Sequence, residues 1–366
     1  MSLRIGFISA RNISGIACME RYKEIFDDEL IDVIYWDRYG IEEEVDKVNL
    51  LKFEHIISQK ANKLQKICSY LKFRSFVLNF IKHNRYDLIV IFPASIGLLF
   101  SRFLRSSYKN RYILDIRDYT AEYNPIFYKL EKNLISKAGI AIITSPAYQT
   151  FLPKHDYLVS HNIPIIDNSL ICEYRKKKRI KKDKLVISCI GFIRFIDQFK
   201  KVIRAFANDN RFELRFIGRG AEYLRDFCSE NSVCNVVLEG GFNSVDTTNY
   251  YADADIVMNL YGNKTPFLDY ALSNKLYYAV KFGMPILVCP GTYMEKVAVE
   301  NGFGFSFDLN DNSAADRLYE YYAKIDWFDF FKKCDDFMRM VNNDENEFRM
   351  KMREFLNTID QGDSGS

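Results

Sequence analysis

The sequence predicts an α/β protein of two open, doubly wound sheets, and three observations carry that expectation. The first is length: 366 residues exceed what one hydrophobic core usually supports, so two domains are expected. The second is pattern, since short β-branched runs alternate with helical periodicities along almost the whole chain. These runs are nearly continuously apolar, as parallel strands buried on both faces should be. The third is doubling, with six such runs on either side of a basic stretch.

In chain order, the first domain is expected over residues 1–170, with strands in "RIGFIS", "DVIYW", "DLIVIF", "YILDI", "IAIITS" and "YLVSH". The basic run from Cys172 to Lys184 lacks apolar periodicity and reads as a linker, placed at 171–184. A second domain over 185–335 follows, with strands in "LVISCIG", "ELRFIG", "NVVLEG", "DIVMNL", "PILVC" and "GFSFDL". Helices are expected over 313–335 and 344–358, the segment 336–360 crossing back to the first domain. The opening "MSLRIGFISA" reads as a strand rather than a signal peptide.

Composition narrows the function classes. With 48% hydrophobic and 15% aromatic residues the chain is not disordered. A balance of 51 basic to 48 acidic residues, net +3, provides no global field for nucleic acid. Eight cysteines without a C-x-x-C pair, several inside apolar runs, read as reduced thiols of a cytoplasmic protein. From His55 to Tyr86 there are seven basic residues and no acidic one, interleaved with apolar and aromatic residues. Such a stretch is either a helix with a basic exposed face or a peripheral contact with anionic lipid at the inner face of the plasma membrane.

Open α/β sheets bind ligands beyond the carboxyl ends of their strands, so chemistry is expected in the loops there. Gly191 ends a strand, and Arg194 follows at a helix entrance where a guanidinium can fork onto a diphosphate. Gly218 and Gly220 form a Gly-x-Gly after another strand, with Glu239 downstream, a truncated dinucleotide fingerprint. In "SNKLYYAVKFGMP", Ser273 is a good N-cap and Gly283 a good stop, which puts Asn274 and Lys275 in the first turn. A lysine there is locally unfavourable against the helix dipole, and a bound anion would reverse the sign. Asp253 and Asp255 form an Asp-x-Asp at the amino end of a strand, the wrong end for a metal-bound ligand. In the first half, Asn12, Ser14 and Gly15 are expected in a mobile loop. Asp115, Arg117 and Asp118 lie at a strand end, as an acid or base or as a structural ion pair. His161 closes the last strand before the crossing.

Taken together, "DIRD", "HNIP", "GFIR", the Gly218/Gly220 turn and above all "SNKLYYAVKFGMPIL" resemble the GT-B glycosyltransferases. The likeness is nearest to family-four-like enzymes of bacterial capsule, exopolysaccharide and O-antigen assembly. It implies two Rossmann-like domains facing across a cleft, with a nucleotide-sugar donor, UDP- or GDP-linked, on the second and a saccharide or lipid-linked acceptor on the first. It implies no cofactor and no metal, a retaining transfer, donor contacts from Gly191, Arg194, Gly218, Gly220, Asn274, Lys275, Leu276 and Tyr278, and acceptor-side roles for Asp118 and His161. Arg194 and Lys275 would stabilise the leaving diphosphate. One departure stands out: Tyr270 and Tyr278 occupy the positions where many relatives carry paired glutamates. A nucleotide-binding but inactive subunit of a two-chain transferase is therefore an alternative, and a nicotinamide-dependent oxidoreductase, from the Gly218/Gly220 turn, another.

Overall fold

The computed structural model describes residues 2–16, 18–58, 61–177, 182 and 184–363. They form two compact units, residues 1–161 with 343–366, and residues 162–342.

The first unit holds a seven-stranded parallel sheet in the order β3-β2-β1-β4-β5-β6-β7. Its strands are β1 Arg4–Ser9, β2 Leu30–Asp37, β3 Asn49–Glu54, β4 Leu88–Phe92, β5 Tyr112–Ile116, β6 Ile140–Ile143 and β7 Tyr157–Val159. Its helices are α1 Met19–Ile25, α2 Lys63–Asn84, α3 Gly97–Ser107 and α4 Pro125–Ile135. One face of the sheet presents Ile5, Phe7, Val33 and Val90 to α1 and to the chain's last helix. On the other face α3 packs against both α2 and α4. There Phe73 of α2 stacks on Trp36, ring centroids 5.4 Å apart.

The second unit holds a six-stranded parallel sheet in the order β10-β9-β8-β11-β12-β13. The strands are β8 Leu185–Ile190, β9 Phe212–Ile217, β10 Val236–Glu239, β11 Ile256–Asn259, β12 Ile286–Val288 and β13 Gly304–Ser306. Its helices run in order: α5 Asn168–Lys177, α6 Ile196–Phe206, α7 Arg225–Glu230, α8 Thr247–Ala252, α9 Pro266–Asp269, α10 Asn274–Phe282, α11 Tyr293–Glu300 and α12 Ala314–Ala323. The chain ends in α13, Trp327–Asp363. The amphipathic face of α6, Phe199, Val202, Ile203 and Phe206, covers one side of the sheet, and α10 covers the other.

Each apolar run expected to be a strand is one. In addition, β3 was not anticipated: "NLLKFE" mixes polar with apolar residues because it is a half-exposed edge strand. The expected linker needs correction. Its first part, Cys172–Lys177, belongs to α5, which is tied down by side chains that the charge count obscures. Tyr174 is buried and its hydroxyl donates to the Ala254 carbonyl. Arg175 bonds Asp335 at 2.9 Å and the Lys281 carbonyl at 3.1 Å. Residues 178–181 and 183 of that run lie outside the described residues.

The final helices also differ from expectation, since a single helix spans 327–363 in place of separate ones. Its apolar period continues unbroken: Phe330, Cys334, Phe337 and Val341 enter the core of the second unit, and Phe348, Met352, Leu356 and Ile359 that of the first. Among the described residues, no helix is long and apolar enough to cross a membrane.

Candidate functional site

In the second sheet the strand order reverses between β8 and β11, which run side by side while their crossovers leave in opposite directions. Such a switch point leaves a crevice at the carboxyl ends of the two strands. Lys275 is there. Ser273 caps α10 by accepting from the Lys275 amide at 3.3 Å, and Gly283 closes the helix in the left-handed conformation, φ 68°. These ends set the helix phase, turning Lys275 inward with Leu276 while Asn274 stays exposed.

The Lys275 side chain is only 4% exposed. Its ammonium donates to the carbonyl of Ile190, the last residue of β8, and lies 5.5 Å from the Tyr261 ring centroid, in the loop after β11. A Cβ placed on Gly191 would come 3.5 Å from the same nitrogen. Burial pushes the ammonium below the ordinary lysine range; the neighbouring Cys189 thiol opposes the shift and the Arg194 charge adds to it. Among the described residues, no carboxylate pairs with it. A buried cation held by one carbonyl is costly unless an anion completes it.

Arg194 is exposed, its guanidinium 5.7 Å from the Phe195 ring centroid and 5.9 Å from that of Phe267. The structure therefore gathers Gly191, Arg194 and Lys275 around one carboxyl end. Gly218 and Gly220 adjoin it for another reason. Gly218 has φ 136°, and a Cβ there would lie 1.9 Å from the Gly191 carbonyl oxygen. A Cβ on Gly220, φ 99°, would lie 2.3 Å from the Ile193 oxygen. Both glycines are needed for the close packing of two loops. Beyond them the chain forms a single 3-10 turn, Ala221–Leu224, and Glu222 takes the Gly220 amide at 2.8 Å. The dinucleotide fingerprint thus lacks a long helix to receive a pyrophosphate at this turn.

Leu276 is fully buried among core residues, and Tyr278 stacks face to face on buried Tyr251, centroids 4.1 Å apart. Both support α10 through packing. Asp255 is fully buried and receives the Val186 amide at 2.9 Å and the Lys182 ammonium at 2.7 Å, so it ties β11 to β8. Among the described residues no cluster of three or more metal-ligating side chains occurs.

The loops after β11 and β12 and the start of α10 form a small pocket open to solvent, lined by Asn259, Tyr261, Gly262, Ser273 and Thr292 among others. Asn259, the last residue of β11, is 8% exposed, and its Oδ1 has no hydrogen-bond partner among the described residues. Asn259 is not among the residues expected from the sequence, although a polar residue closing the apolar run "DIVMNL" at the ligand-facing end is a signal for it.

In the first unit the strand order reverses between β1 and β4. Arg11, just after β1, lies 5.7 Å from the Phe92 ring centroid and 4.0 Å from Asp118. Both side chains are nearly half exposed. Asp115 and Arg117 form the structural ion pair: Asp115 is fully buried, receives Arg117 at 2.8 and 2.9 Å, and accepts from the Tyr22 hydroxyl at 2.9 Å. His161 is 3% exposed and bonds Asp344 of α13 at 2.9 Å, burial holding the imidazole below its usual range. The loop after β1 is anchored, contrary to the mobile loop expected. Buried Asn12 donates to Asp37 at 2.9 Å, and Glu43 accepts from the Ile13 and Ser14 amides, both at 2.8 Å.

With this geometry in view, comparison with solved structures is decisive for architecture. Sucrose-phosphate synthase from Thermosynechococcus elongatus superposes with a TM-score of 0.72 at 13% identity, covering 98% of this chain and 100% of that one. The chain has the GT-B fold. Anabaena HepE, in complex with UDP and glucose, gives a TM-score of 0.61 at 14% identity over 100% of both chains. WaaG, a glycosyltransferase involved in lipopolysaccharide biosynthesis, gives 0.60 at 12% identity over 90% of this chain and 94% of its own. No protein-family model and no curated protein matches the sequence.

Proposed function

We propose that the chain is a glycosyltransferase that moves one sugar from a nucleotide-diphosphate donor to a saccharide acceptor. The carrying observation is the buried Lys275 ammonium at the β8/β11 switch point, with Arg194 beside it and no carboxylate pairing it among the described residues. A diphosphate supplies the missing anion, and its negative charge grows as the glycosidic bond breaks, so these cations stabilise the transition state more than the ground state. The amide-rich start of α10 adds to this, and the proposed reaction needs no metal.

In the transfer, the bond from the anomeric carbon to phosphate breaks and one to an acceptor oxygen forms, with retention of configuration. The acceptor proton passes to the oxygen of the released diphosphate as that bond forms. The space lined by Asn259 and Thr292 is proposed for the donor sugar, the orphan Asn259 oxygen accepting from a sugar hydroxyl. On the acceptor side, Asp118 is proposed to contact substrate. His161, buried against Asp344, is proposed as a positioning residue. UDP or GDP is the proposed base-bearing half, which the UDP complexes of HepE favour for UDP. The setting proposed is bacterial surface polysaccharide synthesis, with a lipid-linked acceptor at the inner face of the plasma membrane.

A second reading, a donor-binding subunit without turnover, is favoured by Tyr278, which stacks on Tyr251 where relatives were expected to carry a carboxylate. Incubating the purified chain with UDP- and GDP-sugars and quantifying released nucleoside diphosphate, with and without saccharide acceptors, separates the two. Acceptor-dependent release supports transfer. Donor binding with no release under any acceptor supports the binding subunit, and neither binding nor release contradicts both.

A further inference from the structure

The layer of helices α2, α3 and α4 has a charge bias that the transfer reading does not use. Five Lys and Arg fall in α2, two in α3 and two in α4, against one acidic residue, Glu131, which is buried. The whole chain is nearly balanced. This layer is therefore a local cationic surface in a nearly neutral protein.

The same helices leave apolar side chains in solvent. Buried residues of α2 recur at Ser69, Phe73, Val77 and Ile81, one stripe at intervals of four. A second stripe runs along a different side, with Leu64 74% exposed, Ile67 54% and Leu71 52%. On α4, Ile126 is 72% exposed and Leu130 46%. Burying the first stripe accounts for the fold; among the described residues nothing covers the second. The first turns of α2, residues 63–68, are exposed all round, yet they start from a full capping box: Asn62 accepts from the Gln65 amide and Gln65 accepts from the Asn62 amide, each at 2.9 Å. The cap fixes the exposed stripe before any partner arrives, which lowers the ordering cost of binding.

We infer that this helical layer docks on an anionic phospholipid bilayer, Leu64, Ile67 and Leu71 entering the headgroup boundary while the surrounding lysines and arginines face lipid phosphates. Charge complementarity selects this occupant, since an apolar stripe rimmed by cations and free of exposed carboxylates matches a negatively charged interface. This names the surface for the membrane setting proposed above and rests on that setting alone; it does not require that the chain transfer sugar.

The test is vesicle flotation of the full chain, without donor, on phosphatidylcholine vesicles and on vesicles with about 30% phosphatidylglycerol. Binding is expected to the anionic vesicles, at least about tenfold tighter than to neutral ones, and to weaken as salt shortens the screening length. The triple variants L64S/I67S/L71S and K63E/K66E/K72E should each weaken it by about tenfold or more. All six positions are exposed, so melting temperatures should stay near that of the parent. As an independent readout, Leu64→Trp should give a blue-shifted emission on anionic vesicles only. Equal partition onto neutral and anionic vesicles, no binding at millimolar lipid, or unchanged binding by both triple variants would overturn the proposal. So would a concentration-dependent dimer abolished by L64S/I67S/L71S, which would assign the stripe to a second copy. Failure here leaves donor turnover untouched, and absence of turnover leaves this binding untouched.

Discussion

At position 275 the fold keeps a cation where burial disfavours one, and the neighbouring residues show why the sequence alone hid this. "SNK" reads as a polar cap, and a lysine in a first turn is most often solvated. The cap geometry of Ser273 and the left-handed Gly283 were legible from residue type, but the inward turn of Lys275 depends on helix phase against β8 and β11. One glycine role is hidden in the sequence for the same reason: the close approach at Gly218 is to the Gly191 carbonyl, a contact between loops distant in sequence. Gly218→Ala is expected to cost more than about 2 kcal/mol by forcing those loops apart, whereas Gly240→Ala, whose Cβ would meet no atom within 4 Å, should cost much less. Chemical denaturation of the pair measures the difference.

A second residue-scale prediction concerns Glu131. Burial, reinforced by the neighbouring Glu122 carboxylate, pushes its carboxyl up to about 8 from 4.5. Among the described residues, its Oε2 and the Glu122 Oε1 have no hydrogen-bond partner. The folded chain thus keeps a proton that the unfolded chain releases, and stability falls as pH rises between those values, by about 1.4 kcal/mol per pH unit at most. Glu131→Gln removes this titration. The variant should melt higher than the parent at pH 8, with the gap shrinking toward pH 5; a gap independent of pH would contradict the assignment.

At the scale of elements, strands were the most legible parts because burial on both faces leaves an uninterrupted apolar run. The half-exposed edge strand β3 carries no such run and escaped notice. Charge misled at α5, where one tyrosine and one arginine anchor a helix inside a basic stretch. The helix α13 was legible in its halves but not in its continuity, because its apolar period serves two cores in succession. Phe337→Ala should therefore destabilise residues 162–342, and Phe348→Ala residues 1–161, each by roughly 3–5 kcal/mol. Hydrogen exchange resolved by segment would show the loss confined mainly to the unit whose core the ring fills; identical protection loss in both units for either variant would contradict the division.

Across the whole molecule, both sheets are wound outward from a central strand pair, β1/β4 and β8/β11, and each switch point carries side chains for which a function is proposed. Asp118, 4.0 Å from Arg11, stands at the first, Lys275 and Asn259 at the second. The architecture was readable from the sequence because it depends on period and order. Much of the site was not, because residues become neighbours there only after the crossovers are made. The account rests on the second switch point receiving a diphosphate, and Lys275→Met tests it most directly. Thermal melting of parent and variant, each alone and with saturating UDP or GDP, should show the parent stabilised by the nucleotide it prefers. The variant, relieved of a buried charge, should melt no lower than the parent when free and show no nucleotide-induced shift. An undiminished shift in Lys275→Met would contradict the account.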